Sequence, residues 1–222
     1  FHSARKSVKA ESIERAQVAM DNTILQIDQV LNSVETAVQN FSWLVADKLE
    51  QPDYMYVLTQ QMLRSNPHVV GCAIAFEPSY YLEKGVMYSP YSYRDGNNIY
   101  SKQLGTKDYD YHYMDWYQIP KLLGKAYWSE PYYDDGGADL IMTTYSYPLY
   151  DSAGKLYAIF TADLSLEWFT DKVEAIKPYP NSFNMMIGRG GKFLVHWNKE
   201  CILNETVFAT SNLVNGEELK EL

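Results

Sequence analysis

The sequence has no run of about 18 consecutive apolar residues, so no helix within it is built to span a bilayer. It has only two cysteines, Cys72 and Cys201, far apart and at no metal-ligand spacing. That excludes a disulfide-dense scaffold; two buried free thiols are the plain reading and a disulfide is the alternative. A basic surplus is missing as well. Nineteen Lys and Arg face 28 Asp and Glu, for a net charge of −9, and phosphate neutralisation needs the opposite sign. Nucleic acid is therefore excluded as a partner. The familiar catalytic signatures are absent too: no G-x-S-x-G, no H-E-x-x-H, no Walker loop and no G-x-G-x-x-G. Gly188-Arg189-Gly190-Gly191 sits between apolar runs and reads as a hairpin turn, not a phosphate cradle. His2, His68, His112 and His196 never pair at ligand spacing, so neither a metal nor another cofactor is expected.

What remains is an acidic globular chain of 222 residues, long enough for one large domain or two small ones. Apolar residues make up 46% and charged residues 21%, which rules out a disordered tail. Tyrosine is out of proportion, with 20 residues against 8 Phe. Seventeen of the 20 lie in residues 80–157. A core does not need that many phenolic hydroxyls, each of which wants a partner when buried, so the cluster points to a wet concave site.

Residues 4–50 contain neither Gly nor Pro. Ile13, Met20, Ile27, Val34 and Phe41 recur every seven residues, and Ile24, Leu31, Val38 and Val45 form a second such row. The rows interleave at steps of three and four, the a/d pattern of a coiled coil, although Gln17 breaks the second. A helix of about 45 residues is about 70 Å long. It either lies along its own domain or leaves it to pair with a second copy, and both can hold along different parts. Pro52 ends it. Residues 54–65 read as a short helix stopped at Asn66-Pro67, and 69–76 as a buried strand. A strand over 86–93 follows, then turn chemistry at 94–98. Residues 99–126 read as a long loop carrying a short helix around Trp116-Tyr117; loops of that length are usually functional. Strands are expected around 126–129, over 140–149 and over 156–164. A helix is expected over 165–177, a hairpin over 183–197 and a partly helical stretch over 203–222.

The ordered set Asp115-Trp116-Tyr117, Trp128-Ser129-Glu130-Pro131-Tyr132, Pro148-Leu149-Tyr150-Asp151, Gly154-Lys155 and Ala162-Asp163-Leu164-Ser165 resembles the membrane-distal half of a double Cache sensor domain. These are PAS-like extracytoplasmic modules of bacterial chemoreceptors and sensor kinases. Gly191-Lys192-Phe193-Leu194-Val195-His196 is similar to the start of a second such module. The resemblance implies an α/β fold of the α+β kind: a long N-terminal helix packed on a mostly antiparallel five-stranded PAS-like sheet, then a smaller or truncated second module. The expected segments are a stalk and dimerisation helix (1–52), a ligand-binding module (53–165), and a connecting helix with a partial second module (166–222). The abrupt Phe1 start with a basic pair at Arg5-Lys6 fits a position just outside a membrane helix. The implied setting is the periplasmic part of an inner-membrane receptor that dimerises through its first helix. Its output would be a kinase, a chemoreceptor or a phosphatase.

In amino-acid-binding members, an Arg two residues before the Trp grips the ligand carboxylate and a final-strand Asp grips its ammonium. Here Asp163 matches that Asp, Trp116 the pocket Trp, and Tyr109, Tyr117 and Tyr132 the pocket tyrosines. Met114 stands at the Arg position, and a thioether cannot replace a bidentate guanidinium. A free α-amino acid is thus doubtful as ligand, while an amine, an organic acid or another small metabolite stays open. Blander roles exist: Asp163 as a helix cap, Trp116 and Trp128 as core, Tyr132 and Tyr133 as loop surface. The functional alternative is a carbohydrate-binding module or glycan-active enzyme using aromatic platforms and acids drawn from Asp108, Asp110, Asp115, Glu130, Asp134, Asp135 and Asp139.

Overall fold

The computed structural model describes residues 2–135 and 137–210. The chain divides into two compact units, one of residues 31–165 and one that joins residues up to 30 with those from 166 onward.

Helix α1 (His2–Asp47) is continuous, as a stretch free of helix breakers should be. Its two apolar rows do not share one environment. Val34, Val38 and Val45 are 2%, 0% and 0% exposed, whereas Ile13, Met20 and Ile24 are 50%, 49% and 48% exposed. The part of the helix beyond residue 30 thus buries its stripe in the larger unit, while the earlier part buries Ile27 and leaves Ile13, Met20 and Ile24 open. Helix α2 (Tyr54–Ser65) buries Met55, Leu58, Met62 and Leu63, a stripe at steps of three and four. Asn66-Pro67 ends it, because the residue before a proline is pushed out of helical geometry.

Among its described residues the larger unit holds seven strands: β1 (Gly71–Phe76), β2 (Pro90–Asp95), β3 (Asn98–Gln103), β4 (Tyr127–Trp128), β5 (Tyr132–Tyr133), β6 (Ile141–Tyr150) and β7 (Leu156–Ser165). They form one antiparallel sheet in the order β3-β2-β1-β7-β6-β4, with β5 also paired to β6. The expected five strands are therefore two short. Strand β3 was hidden because it is a polar edge strand with no buried side chain; only its backbone, paired with β2 over six residues, shows it. Strand β5 has two residues, too few to show any period.

Strand alternation sorts the side chains onto two faces. Ala73 and Ala75 pack with Tyr91, Leu104, Tyr111, Trp116, Tyr117 and Ile159 on one face, under the segment 104–126. That segment carries a single turn at Tyr111–Tyr113 and helix α3 (Asp115–Leu123). The opposite face takes α2 and the later part of α1. There Thr59 Oγ1 meets Ser92 Oγ at 2.7 Å, and Trp128 Nε1 donates to Glu35 Oε1 at 2.7 Å. Part of the tyrosine surplus is structural. Tyr80, Tyr81, Tyr88 and Tyr157 surround the Phe76 ring. The hydroxyls of Tyr81 and Tyr88 donate to the Leu49 and Pro52 carbonyls at 2.5 and 2.7 Å, tying the turn after α1 to the sheet.

The smaller unit contains α4 (Leu166–Glu174), a hairpin of β8 (Met186–Ile187) and β9 (Phe193–Val195), and α5 (Val207–Thr210). The glycine run closes that hairpin, with Gly191 at φ 79° and Gly188 N–H donating to the Lys192 carbonyl at 2.9 Å. The expected helical stretch over 203–222 reduces to α5 within the described residues, and 211–222 lie outside them. Cys72 and Cys201 are both free thiols; Cys72 is buried and Cys201 half-buried. Among the described residues no helix is long and apolar enough to cross a membrane.

Candidate ligand-binding site

Between the sheet and segment 104–126 lies a narrow cavity of about 230 Å³, open solvent at its mouth included. Its walls are aromatic, from Tyr91, Tyr109, Trp116 and Tyr132, and its polar groups come from Asp134, Thr144, Thr161 and Asp163. Each strand contributes by alternation: Tyr91 from β2, Thr144 from β6, Thr161 and Asp163 from β7.

Asp163 is 4% exposed, and its Oδ1 accepts from the Thr144 hydroxyl at 2.8 Å. Tyr132 Oη lies 2.8 Å from the same Thr144 oxygen. Asp134 is 5% exposed; the Ala138 amide donates to its Oδ2 at 2.7 Å. Burial, reinforced by the charge of Asp134, pushes the Asp163 carboxyl up to about 7, with the Thr144 bond pulling the other way. Burial also raises Asp134, offset in part by the Ala138 amide and by Lys102. Lys102 Nζ donates to the Gly137 carbonyl at 2.7 Å. Among the described residues no cation forms an ion pair with Asp163. Tyr91 Oη is buried without a hydrogen-bond partner there, and Trp116 Nε1 donates to Tyr109 Oη at 3.3 Å.

Gly71 makes room for this arrangement. It pairs with Asp163 across β1 and β7, and a Cβ placed on it would lie 2.3 Å from Asp163 Oδ2 and 2.6 Å from Tyr91 Oη. Both polar atoms therefore converge on the space an absent side chain leaves. Gly71→Ala is expected to displace both groups and cost about 1–3 kcal/mol, the usual range for overpacking. Denaturant unfolding of the variant checks this, and an unchanged midpoint would mean the sheet absorbs the methyl freely.

Of the residues picked from sequence, Tyr109, Trp116, Tyr132 and Asp163 converge on the cavity. Tyr117 does not line it: it is fully buried in the core cluster and its hydroxyl donates to Glu77, which also binds Lys121 Nζ at 2.7 Å. Met114 also lies outside the cavity and instead lines a second hollow beside it. Asp163 does not serve as a helix cap; it sits inside β7 with its carboxylate on Thr144. Sequence reasoning missed Tyr91 and Thr144, whose only signal was their place in alternating strands. Of the acids proposed for a glycan site, only Asp134 enters the cavity. Asp108, Asp115, Glu130, Asp135 and Asp139 are exposed, and Asp110 accepts from the His112 backbone amide at 3.0 Å.

Residues 55–171 match the family model described as methyl-accepting chemotaxis protein-like, first PDC sensor domain. The chain belongs to that family. Similar solved structures include Methyl-accepting Chemotaxis protein X (TM-score 0.80, 20% identity, 97% of this chain and 83% of that one). A second is the extracellular domain soHK1S-Z6, attributed to a histidine kinase (0.73, 22%, 99% and 81%). A third is the ligand-binding domain of the Pseudomonas aeruginosa PAO1 amino acid chemoreceptor PctB in complex with L-Gln (0.61, 16%, 90% and 71%). At such identities the likeness is one of fold. Among curated proteins no significant sequence match is found. This PDC sensor domain is thus a ligand-sensing module of a signalling receptor. The family is non-catalytic, which sets aside the glycan-hydrolase alternative for this domain.

Proposed function

We propose that the domain stands outside the cytoplasmic membrane of a bacterium and binds a small molecule by its protonated amine. The observation that carries this is the pair of buried carboxylates, Asp163 and Asp134, in one narrow aromatic cavity. Burial raises both acids and the charge of Asp134 raises Asp163 further, so the pair calls for a cation, and aromatic faces favour one further. The PctB domain holds an amino acid, L-Gln. In this chain the cavity is lined, among the described residues, by two acids and by no Arg or Lys, so an α-carboxylate there would meet like charge and no cation. The reading is therefore an amine without an α-carboxylate.

The route outward is supported by a short run of bonds. Thr144 holds Asp163, its amide donates to Ser129 Oγ at 2.9 Å, and the neighbouring Trp128 holds Glu35 of α1. A ligand that pulls on Asp163 biases β6, β4 and that helix together, provided the two packings bind it with different affinity. The open apolar row at Ile13, Met20 and Ile24 suits pairing with the same helix of a second copy. We propose flanking membrane anchors and a cytoplasmic output of the kinase, chemoreceptor or phosphatase kind.

A thermal-shift panel of matched amines, α-amino acids and alcohols tests the ligand class. Amines should stabilise the chain, and the other two should not. The pH dependence has a defined sign. The ammonium pairs with carboxylate only, so amine binding should weaken as pH falls through about 7 and a proton should be released on binding. Stabilisation by amino acids alone, or amine binding that is flat between pH 5 and 8, would refute the assignment.

A further inference from the structure

Beside the cavity lies a larger groove of about 880 Å³, its open mouth included, walled by Met114, Trp116, Tyr127, Pro131 and Tyr132. Trp116 and Tyr132 line both hollows. Their polar tips are held from the cavity side. Trp116 Nε1 donates to Tyr109, and Tyr132 Oη lies against Thr144, and neither partner lines the groove. What Trp116 and Tyr132 present to the groove is therefore ring surface, with the Met114 thioether, Pro131 and Ser129 beside it. The two carboxylates that also line it, Asp115 and Glu130, are exposed, where solvent leaves a lone ion pair little net strength.

The inner cavity is small for a metabolite site, which usually exceeds about 300 Å³. Without its open mouth it has free room of about 10 Å³, that of one water-sized group such as an ammonium head. The groove has the complementary character: roomy, aromatic and without a buried charge.

We infer that the two hollows are compartments of one site, and that the ligand is an arylalkyl amine. Its ammonium sits at Asp163 and Asp134, and its aromatic tail passes between Trp116 and Tyr132 into the groove. A diamine fits less well, because its second charge would find only the exposed rim acids. A ring moved from water onto this wall gains the free energy of a buried aromatic side chain, equivalent to about a ten- to hundred-fold tightening. This inference rests on the amine reading above and adds the tail.

Isothermal titration of the chain at pH 8 with ethylamine, phenethylamine and phenylalanine tests it. Phenethylamine should bind about ten- to hundred-fold more tightly than ethylamine, and phenylalanine should bind more weakly than phenethylamine. Tyr127→Ala and Met114→Ala should each bring the phenethylamine-to-ethylamine ratio toward one; two variants guard against one of them disturbing the short strand β4. Equal affinity of the two amines, or a ratio untouched by both variants, overturns the two-compartment site and leaves the amine assignment standing. If neither amine binds, the amine assignment fails and this inference falls with it.

Discussion

Asp163→Asn abolishes ligand-induced stabilisation and, at pH 8, raises the melting temperature of the ligand-free domain. The two effects have opposite sign because the same buried charge causes both. In the folded domain the carboxyl titrates near 7, whereas in the unfolded chain it titrates near the ordinary value of about 4. Between those values the folded state holds the proton more tightly, so stability is greatest at the acid end and falls as pH rises from about 4 to about 7. Above 7 the full penalty of an unpaired buried charge remains. Asn keeps an oxygen for the Thr144 hydroxyl but carries no charge. A recovered 2–3 kcal/mol corresponds to about 5–10 °C for a chain of this size. The same substitution removes the partner of the ammonium, and truncating one side of a buried charge pair costs about 2–5 kcal/mol, about 30-fold to a few thousand-fold in affinity. Melting curves at pH 5 and pH 8, with and without amine, measure both. A variant less stable than the parent at pH 8 would mean that the carboxylate has structural partners beyond Thr144, and the recognition role would lose its physical basis.

Val38→Asp unfolds the larger unit, while Ile13→Asp leaves folding intact and removes self-association. Val38 is fully buried, so an unpaired aspartate there costs more than about 4 kcal/mol, a large part of a domain's whole stability. Ile13 is half exposed, and a surface change of that kind stays within about 0.5 kcal/mol. Circular dichroism in denaturant separates the folding effects, and sedimentation velocity at high protein concentration reads the association. Ile13→Asp destabilising the chain as Val38→Asp does would show that the open row is packed within the protomer. Unchanged association would remove the proposed helix pairing.

The long helix shows where sequence reasoning succeeds and where it stops. Two rows of apolar residues at heptad spacing over residues 13–45 demand a helix, because only a helix brings such positions to one stripe. The same pattern is silent on what covers the stripe. Val34, Val38 and Val45 are covered by the chain itself and Ile13, Met20 and Ile24 are not. Strands β1, β6 and β7 were legible from apolar runs between turn residues. Strand β3 was not, since a polar edge strand is defined by the backbone bonds it makes with β2. The tyrosines were legible as an excess but not by role. Tyr91, Tyr109 and Tyr132 wall the cavity, Tyr81 and Tyr88 tie a turn to the sheet, and Tyr117 holds Glu77.

By itself the sequence determined the element types, the acidic character and the family resemblance through Trp116, Tyr132 and Asp163. These rest on periodicity and residue chemistry, which are local along the chain. Only the tertiary structure decided the site. It paired Gly71 with Asp163, aimed Thr144 at the same carboxylate, folded Asp134 back beside it and turned Tyr117 away. The register of distant strands decides which side chains share a hollow. A one-residue slip would send every one of them to the other face, and no local pattern records that choice.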